Sequence, residues 1–291
     1  MQTRHLSRAR ISRKKIGMPE IYYLGPEGTF SHILARKRFG HRASLVACPA
    51  IEAVYDRVRE NPAGLGLVPV ENSSGGTVYD SVDAMIRNAG KIFLREELSL
   101  DVRIALLGHA GQEVTTIYSH FIQLKHHAEW LKQRFPKARQ RAVASTAIAA
   151  QKAKASPHAA ALASPGAAGV YGLDVLEKSR AGSVNVTHFA IIGASPAPET
   201  DEARKTALIA ALPNSCGSLH QFLGPFARQG VSLTRIVSRP VPGKPQTYVF
   251  FVEIEGGEHD PAAAKALTRA RKLSESLVSL GTFPVRGRFK S

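Results

Sequence analysis

Several residue types are scarce in this 291-residue sequence: two cysteines, one tryptophan, 7% aromatic side chains, and 23 acidic groups against 39 lysines and arginines. Cys48 and Cys216 stand too far apart for a metal-ligand spacing and are too few for a disulfide-stapled scaffold. Free thiols in a reducing, cytoplasmic setting are expected, with no metal centre. No apolar run approaches the roughly 18 residues that would span a bilayer, so no membrane role is expected. The signatures G-x-G-x-x-G, Gly-Lys-Ser/Thr and G-x-S-x-G are missing, which removes the usual dinucleotide, P-loop and nucleophile-elbow readings.

The shortage of acid leaves a formal charge of +16, which points to nucleic acid, an anionic surface or an anionic substrate. With few aromatics and no RNP-like run, nucleic acid is the weakest of these. Six of the positive charges, Arg4, Arg8, Arg10, Arg13, Lys14 and Lys15, lie in residues 1–17 without an acidic neighbour. That segment reads as a basic, flexible extension before a fold that starts at Met18.

From Met18 to Ala194 strand-like and helical stretches alternate: a strand over Ile21 to Leu24, a helix from Ser31, strands at Ser44 to Ala47 and Gly64 to Val70, and helices at Ile51 to Arg59 and Val78 to Arg87. Ser145 and Ser164-Pro165 read as helix starts on either side of a small-residue strand, Ala159 to Ala163. Residues 195–205 lack apolar periodicity and read as a linker. Beyond it, residues 206–291 give strand (Thr206 to Leu212), helix (Ser218 to Arg228), strand (Val231 to Val241), strand (Gln246 to Ile254), helix (Pro261 to Leu277) and strand (Phe283 to Phe289). That order is the ferredoxin-like βαββαβ unit.

Four segments place glycines and small polar side chains at strand-to-helix junctions, where backbone N–H groups face a ligand. They are Leu24 to His32, Val68 to Thr77, Tyr118-Ser119-His120 with His126 and His127 beyond, and Asn185 to Ile192. Each alone fits a capped turn or a strand start as readily as a binding site.

Taken in order, Tyr23-Leu24-Gly25-Pro26-Glu27-Gly28-Thr29-Phe30-Ser31, Val68-Pro69-Val70-Glu71-Asn72-Ser73, Tyr118-Ser119-His120, Ala144-Ser145-Thr146-Ala147, Tyr171-Gly172-Leu173 and Asn185-Val186-Thr187-His188-Phe189 resemble the prephenate dehydratase family. The resemblance implies a catalytic region over 18–194 made of two α/β lobes similar to periplasmic binding proteins, with substrate between them. It further implies a C-terminal ACT regulatory domain. The reaction implied is conversion of prephenate to phenylpyruvate in phenylalanine biosynthesis, with no cofactor and with phenylalanine as effector.

By the same resemblance Thr187 is the catalytic residue, and Thr29, Asn72, Ser73, Ser119, His126, Thr146, His188 and Phe189 contact substrate. Gly217, Ser218 and Leu219, with Ser238, Arg239 and Pro240, match the effector-binding elements. A homodimer or homotetramer is implied. The departures are His188 for a usual arginine, His126 for a glutamine, Val237 for a glutamate and Cys216 for a proline. His188 and His126 are expected to replace the missing cation and amide, making turnover pH-dependent near neutrality. The alternatives are a divergent enzyme acting on prephenate or arogenate, for example a decarboxylase, and a non-catalytic amino-acid sensor.

Overall fold

The computed structural model describes residues 18–179, 185–200, 202 and 204–291; the basic extension over 1–17 lies outside them. The first lobe comprises β1 (Glu20–Leu24), α1 (Phe30–Phe39), β2 (Ser44–Cys48), α2 (Ile51–Glu60), β3 (Leu65–Asn72), β4 (Gly76–Thr77), α3 (Tyr79–Arg87) and β5 (Phe93–Asp101). The chain crosses into a second lobe: β6 (Ala105–Gly108), β7 (Thr116–Ser119), α4 (Phe121–His126), α5 (Ala128–Arg134), β8 (Arg139–Ala142), α6 (Thr146–Lys154), β9 (Ala159–Ala163), α7 (Gly166–Tyr171) and β10 (Asp174–Lys178). It returns to the first as β11 (Val186–Gly193). Then follow β12 (Arg204–Ala211), α8 (Ser218–Arg228), β13 (Leu233–Pro240), β14 (Tyr248–Glu255), α9 (Pro261–Lys272) and β15 (Ser276–Lys290). This is the two-lobed α/β region followed by a βαββαβ unit.

Local chemistry explains the helix starts. Ser145 Oγ accepts from the Ile148 N–H at 3.1 Å, and Ser164 Oγ accepts from the Gly166 N–H at 3.2 Å with Pro165 already at helical angles. Strand β9 is buried at every position, as its alanines require between α6 and the opposite helices. Cys48 is buried and Cys216 exposed, both as free thiols. No described helix is long and apolar enough to cross a membrane.

The C-terminal end departs from expectation. Helix α9 stops at Lys272 rather than Leu277, because Ser274 Oγ donates to the Ala270 and Arg271 carbonyls and ends the turn. Strand β15 then runs 15 residues. Its first part pairs antiparallel with β12, and its second pairs parallel with β5 of the first lobe. One sheet therefore passes through both regions in the order β13-β14-β12-β15-β5-β11-β3-β1-β2. Strand β12 also begins at Arg204, inside the expected linker.

Helices α8 and α9 cover one face of the C-terminal part of this sheet. The other face brings Ala207, Ile209, Val237, Phe251, Leu280 and Phe283 into the same core as Val54 and Val58 of α2 and Val82 and Met85 of α3. The two lobes also touch. Tyr171 Oη donates to the Glu27 carbonyl at 2.6 Å, and Gly28, at φ +83°, leaves no room for a Cβ, which would stand 2.7 Å from Tyr171 Cε2.

Phe283 is 1% exposed at the junction of the two regions. Phe283→Ala is expected to cost about 3–5 kcal/mol in urea unfolding, lowering the stability of both regions together. Two separate transitions with the catalytic part unmoved would contradict the shared core.

Candidate functional site

The site begins with the pairing of β3 and β11. Thr187 lies opposite Asn72 and His188 opposite Glu71, but Phe189 lies opposite Pro69, so Val70 is an extra residue. This bulge shifts the face of everything after it. Val68 and Val70 face the α2–α3 core, yet Asn72 joins Thr187 on the other side.

Asn72 is fully engaged there. Its Nδ2 donates to Asn185 Oδ1 at 2.7 Å and to Thr187 Oγ1 at 2.9 Å. Its Oδ1 accepts from the N–H groups of Ser74 at 2.9 Å and Gly75 at 2.8 Å, which shapes the glycine turn. Because Thr187 Oγ1 accepts from Asn72 and has no acceptor of its own among the described residues, its hydroxyl proton is left for a ligand.

Asn72 and Thr187 line a cavity of about 240 Å³ between the lobes, with Phe30 and the turn Gly75 to Val78 on one wall and His120, Ile122 and Gln123 on the other. Burial pushes the His120 imidazole below its ordinary pKa, favouring the neutral form. Among the described residues Gln123 Oε1 has no hydrogen-bond partner. Residue pattern alone marks His120 without a role and does not mark Gln123. The unpartnered amide shows only in three dimensions.

Across Val102, where the chain passes between lobes, a larger cavity of about 780 Å³ opens, lined by Arg103, Lys178, Asn185, Arg288, His126 and His127. His126 is exposed there, away from Thr187's cavity. Among the described residues no cluster of three or more His, Cys, Asp or Glu side chains could hold a metal ion.

Other expected contacts are engaged elsewhere. Ser73 Oγ accepts from the Val186 N–H at 2.9 Å, tying the two strand ends together. Ser119, fully buried, donates to the Leu162 carbonyl at 2.7 Å. Thr29 caps α1, accepting from His32 N at 3.3 Å, with the Leu24 and Pro26 carbonyls in reach of its proton. Thr146 is buried in the first turn of α6. Phe189, 1% exposed, packs with Leu34 and Leu98 in the core and does not reach the cavity.

His188 stands on the other side of the sheet. Strand alternation turns it to the face opposite Thr187, where its Nδ1 lies 3.3 Å from Glu97 Oε1. Lys205 Nζ donates to the same carboxylate at 2.9 and 3.0 Å. Arg235 Nε donates to Glu71 Oε2 at 3.0 Å and its Nη1 to Glu253 Oε1. Burial would raise the Glu97 carboxyl, but the His188 hydrogen bond and the Lys205 ammonium outweigh it and hold it at about 2. Burial pushes Glu253 up, with Glu97's charge beside it, so Glu253 takes up a proton first.

In the C-terminal unit, Gly217 at φ +82° opens α8, Ser218 Oγ donates to the Ser215 carbonyl and Leu219 is exposed. Ser238 and Pro240 are exposed on β13. Arg239 turns the other way, onto α3: it donates to Asp83 Oδ1 and Oδ2 at 2.6 and 2.7 Å and lies 4.7 Å from the Tyr79 ring centre. An effector contact through this guanidinium would have to displace Asp83.

The sequence profile of the prephenate dehydratase family matches residues 21–197, and that of the ACT domain matches residues 206–272. A bifunctional chorismate mutase/prephenate dehydratase of Stutzerimonas stutzeri is 37% identical over 267 residues, covering 91% of this chain and 73% of its own. Among solved structures, prephenate dehydratase from Arthrobacter aurescens in complex with L-Phe has a TM-score of 0.82 at 28% identity, over 91% of this chain and 90% of that one. GqqA, described as a novel type of quorum quenching acylase, has a TM-score of 0.84 at 25% identity, over 92% and 98%.

Glu97 sets an acid limit whose sign follows from its lowered pKa. A carboxylate at about 2 when folded, against an ordinary 4.5, stabilises the protein above pH 4.5, and the contribution disappears as pH falls towards 2. It amounts to about 3 kcal/mol at neutral pH. Urea midpoints across this range should fall more steeply for the wild type than for Glu97→Gln; parallel curves would contradict the assignment.

Proposed function

The chain belongs to the prephenate dehydratase family, and on that premise we propose that it converts prephenate to phenylpyruvate, carbon dioxide and water, under control of phenylalanine at its ACT domain. The observation that carries the reading is the Asn72–Thr187 pair: a threonine that lines the cavity, its oxygen accepting from an amide and its proton free to be donated to a ligand.

In the reaction the bond between the ring and its carboxylate breaks, releasing CO2. The electron pair enters the ring and the ring hydroxyl leaves, taking up one proton to depart as water. Aromatisation supplies the driving force, so the protein's task is to orient the substrate and protonate the leaving oxygen. Thr187 fits the second role. The neutral His120 and the Gln123 amide, both lining the cavity, fit a role in orienting the substrate's carboxylates and keto group without fixed charge. The cations beside Val102, Arg103 and Lys178, favour approach of a dianion.

The regulatory half of the proposal is supported by the ACT match and by a similar structure holding L-Phe. Ile236 and Tyr248, 44% and 47% exposed on neighbouring strands, fit a surface covered in a cytoplasmic homodimer or homotetramer.

Thr187→Ala is expected to lower kcat/KM for prephenate by about 10²–10⁴-fold, followed as the ultraviolet absorbance of phenylpyruvate in alkali. Retention within threefold of wild type would remove Thr187 from the mechanism. Added phenylalanine should change the wild-type rate; no change up to millimolar concentration would leave the ACT domain without this effector.

A further inference from the structure

We infer that Arg235 of the ACT domain and Lys205, at the start of β12 just before it, are positioning residues for the catalytic pair, clamping the ends of β3 and β11 from the face of the sheet opposite the cavity. The inference rests on the proposed role of Thr187 and assigns a further layer of residues to the same site.

Each strand places two consecutive residues back to back. On β3, Asn72 faces the cavity and Glu71 the ACT domain; on β11, Thr187 and His188 divide in the same way, and the two pairs lie directly opposite each other. On the cavity side Asn72 bonds Thr187. On the far side Glu71 is held by Arg235 through both Nε and Nη2 at 3.0 Å. His188 is held by Glu97, which Lys205 contacts through both oxygens. Glu253 closes the circuit, paired with Arg235 and 3.9 Å from Lys205.

The circuit has little freedom to rearrange. The side chains of Glu253, Glu97, Arg235 and Lys205 are 1%, 7%, 8% and 17% exposed, so removing one partner leaves a charge that water cannot reach easily. Three carboxylates, Glu71, Glu97 and Glu253, face two permanent cations, and His188 is the remaining basic group in the circuit. It lies one residue from Thr187. A shift of Arg235 or Lys205 therefore pulls on the backbone at Asn72 and Thr187, and reacting geometries are sensitive to displacements of an ångström or less.

The test uses the full chain with Glu71→Gln, Arg235→Gln, the double variant and Arg235→Lys. Glu71 is the mildest site, its side chain being 39% exposed. Two readouts are taken: kcat and KM for prephenate, and hydrogen exchange at the Ser74 and Gly75 amides, which bond Asn72 Oδ1 and so report its position without reference to turnover. The clamp predicts that Glu71→Gln lowers kcat about tenfold with KM within twofold and speeds exchange at Ser74 and Gly75, while α6 in the second lobe keeps its protection. It also predicts that the double variant is no worse than the poorer single one and that Arg235→Lys restores part of kcat. Unchanged exchange at Ser74 and Gly75, losses that multiply in the double variant, or exchange raised equally in α6 would each overturn it. A wild type inert on prephenate would sink the dehydratase reading instead, and the exchange data would still decide the clamp.

Discussion

The antiparallel pairing of β3 with β11, offset by one bulged residue, is the constraint on which both the cavity and the domain junction depend. Side chains alternate across a strand, so a slip of one residue would exchange the two faces. A slip of β3 would turn Asn72 to the ACT domain and bring Glu71 into the cavity, and a slip of β11 would do the same with Thr187 and His188. The bulge at Val70 lets β3 keep Val68 and Val70 in the core and still deliver Asn72 to the opposite side. The second lobe hangs from the neighbouring strand ends, after β5 and before β11, so the cavity walls are set by the same register.

The charge of +16 takes on a different meaning beside this geometry. Acidic residues are few, and several of them sit where the parts of the molecule meet. Glu96 joins Arg38 to Arg286 of β15, Glu97 joins His188 to Lys205, and Asp83 joins α3 to Arg239. Buried ion pairs add little net stability over apolar packing, but they penalise any arrangement that separates the partners. Their role here is registration: they specify how the ACT domain sits on the first lobe.

What was legible in the sequence was local. Caps at Ser145 and Ser164 were readable because a helix end is decided by a few adjacent residues. The extent of β15 was not, because the apolar spacing through Leu277 continues the helical pattern of α9, and only pairing with β12 makes it a strand. The resemblance implies Thr29 and Ser119 as substrate contacts, yet a small hydroxyl beside a strand end is as readily taken by a backbone carbonyl. The facing of His188 and Phe189 depends on register with two neighbours distant in sequence. No single-chain pattern encodes that.

The replacement of the family's usual arginine by His188 can then be placed. Were that position part of the substrate cavity, its loss would remove a fixed cation from a site that binds a dianion. It faces Glu97 instead, and the cavity keeps its hydroxyl, its amides and its neutral imidazole. The substitution therefore alters the balance of the carboxylate circuit rather than the inventory of groups around the substrate. A permanent cation there would neutralise the third carboxylate at every pH; an imidazole does so only when protonated. At this position the variation falls on the contact between β11 and the C-terminal unit, and the lining of the cavity can stay constant while that contact changes.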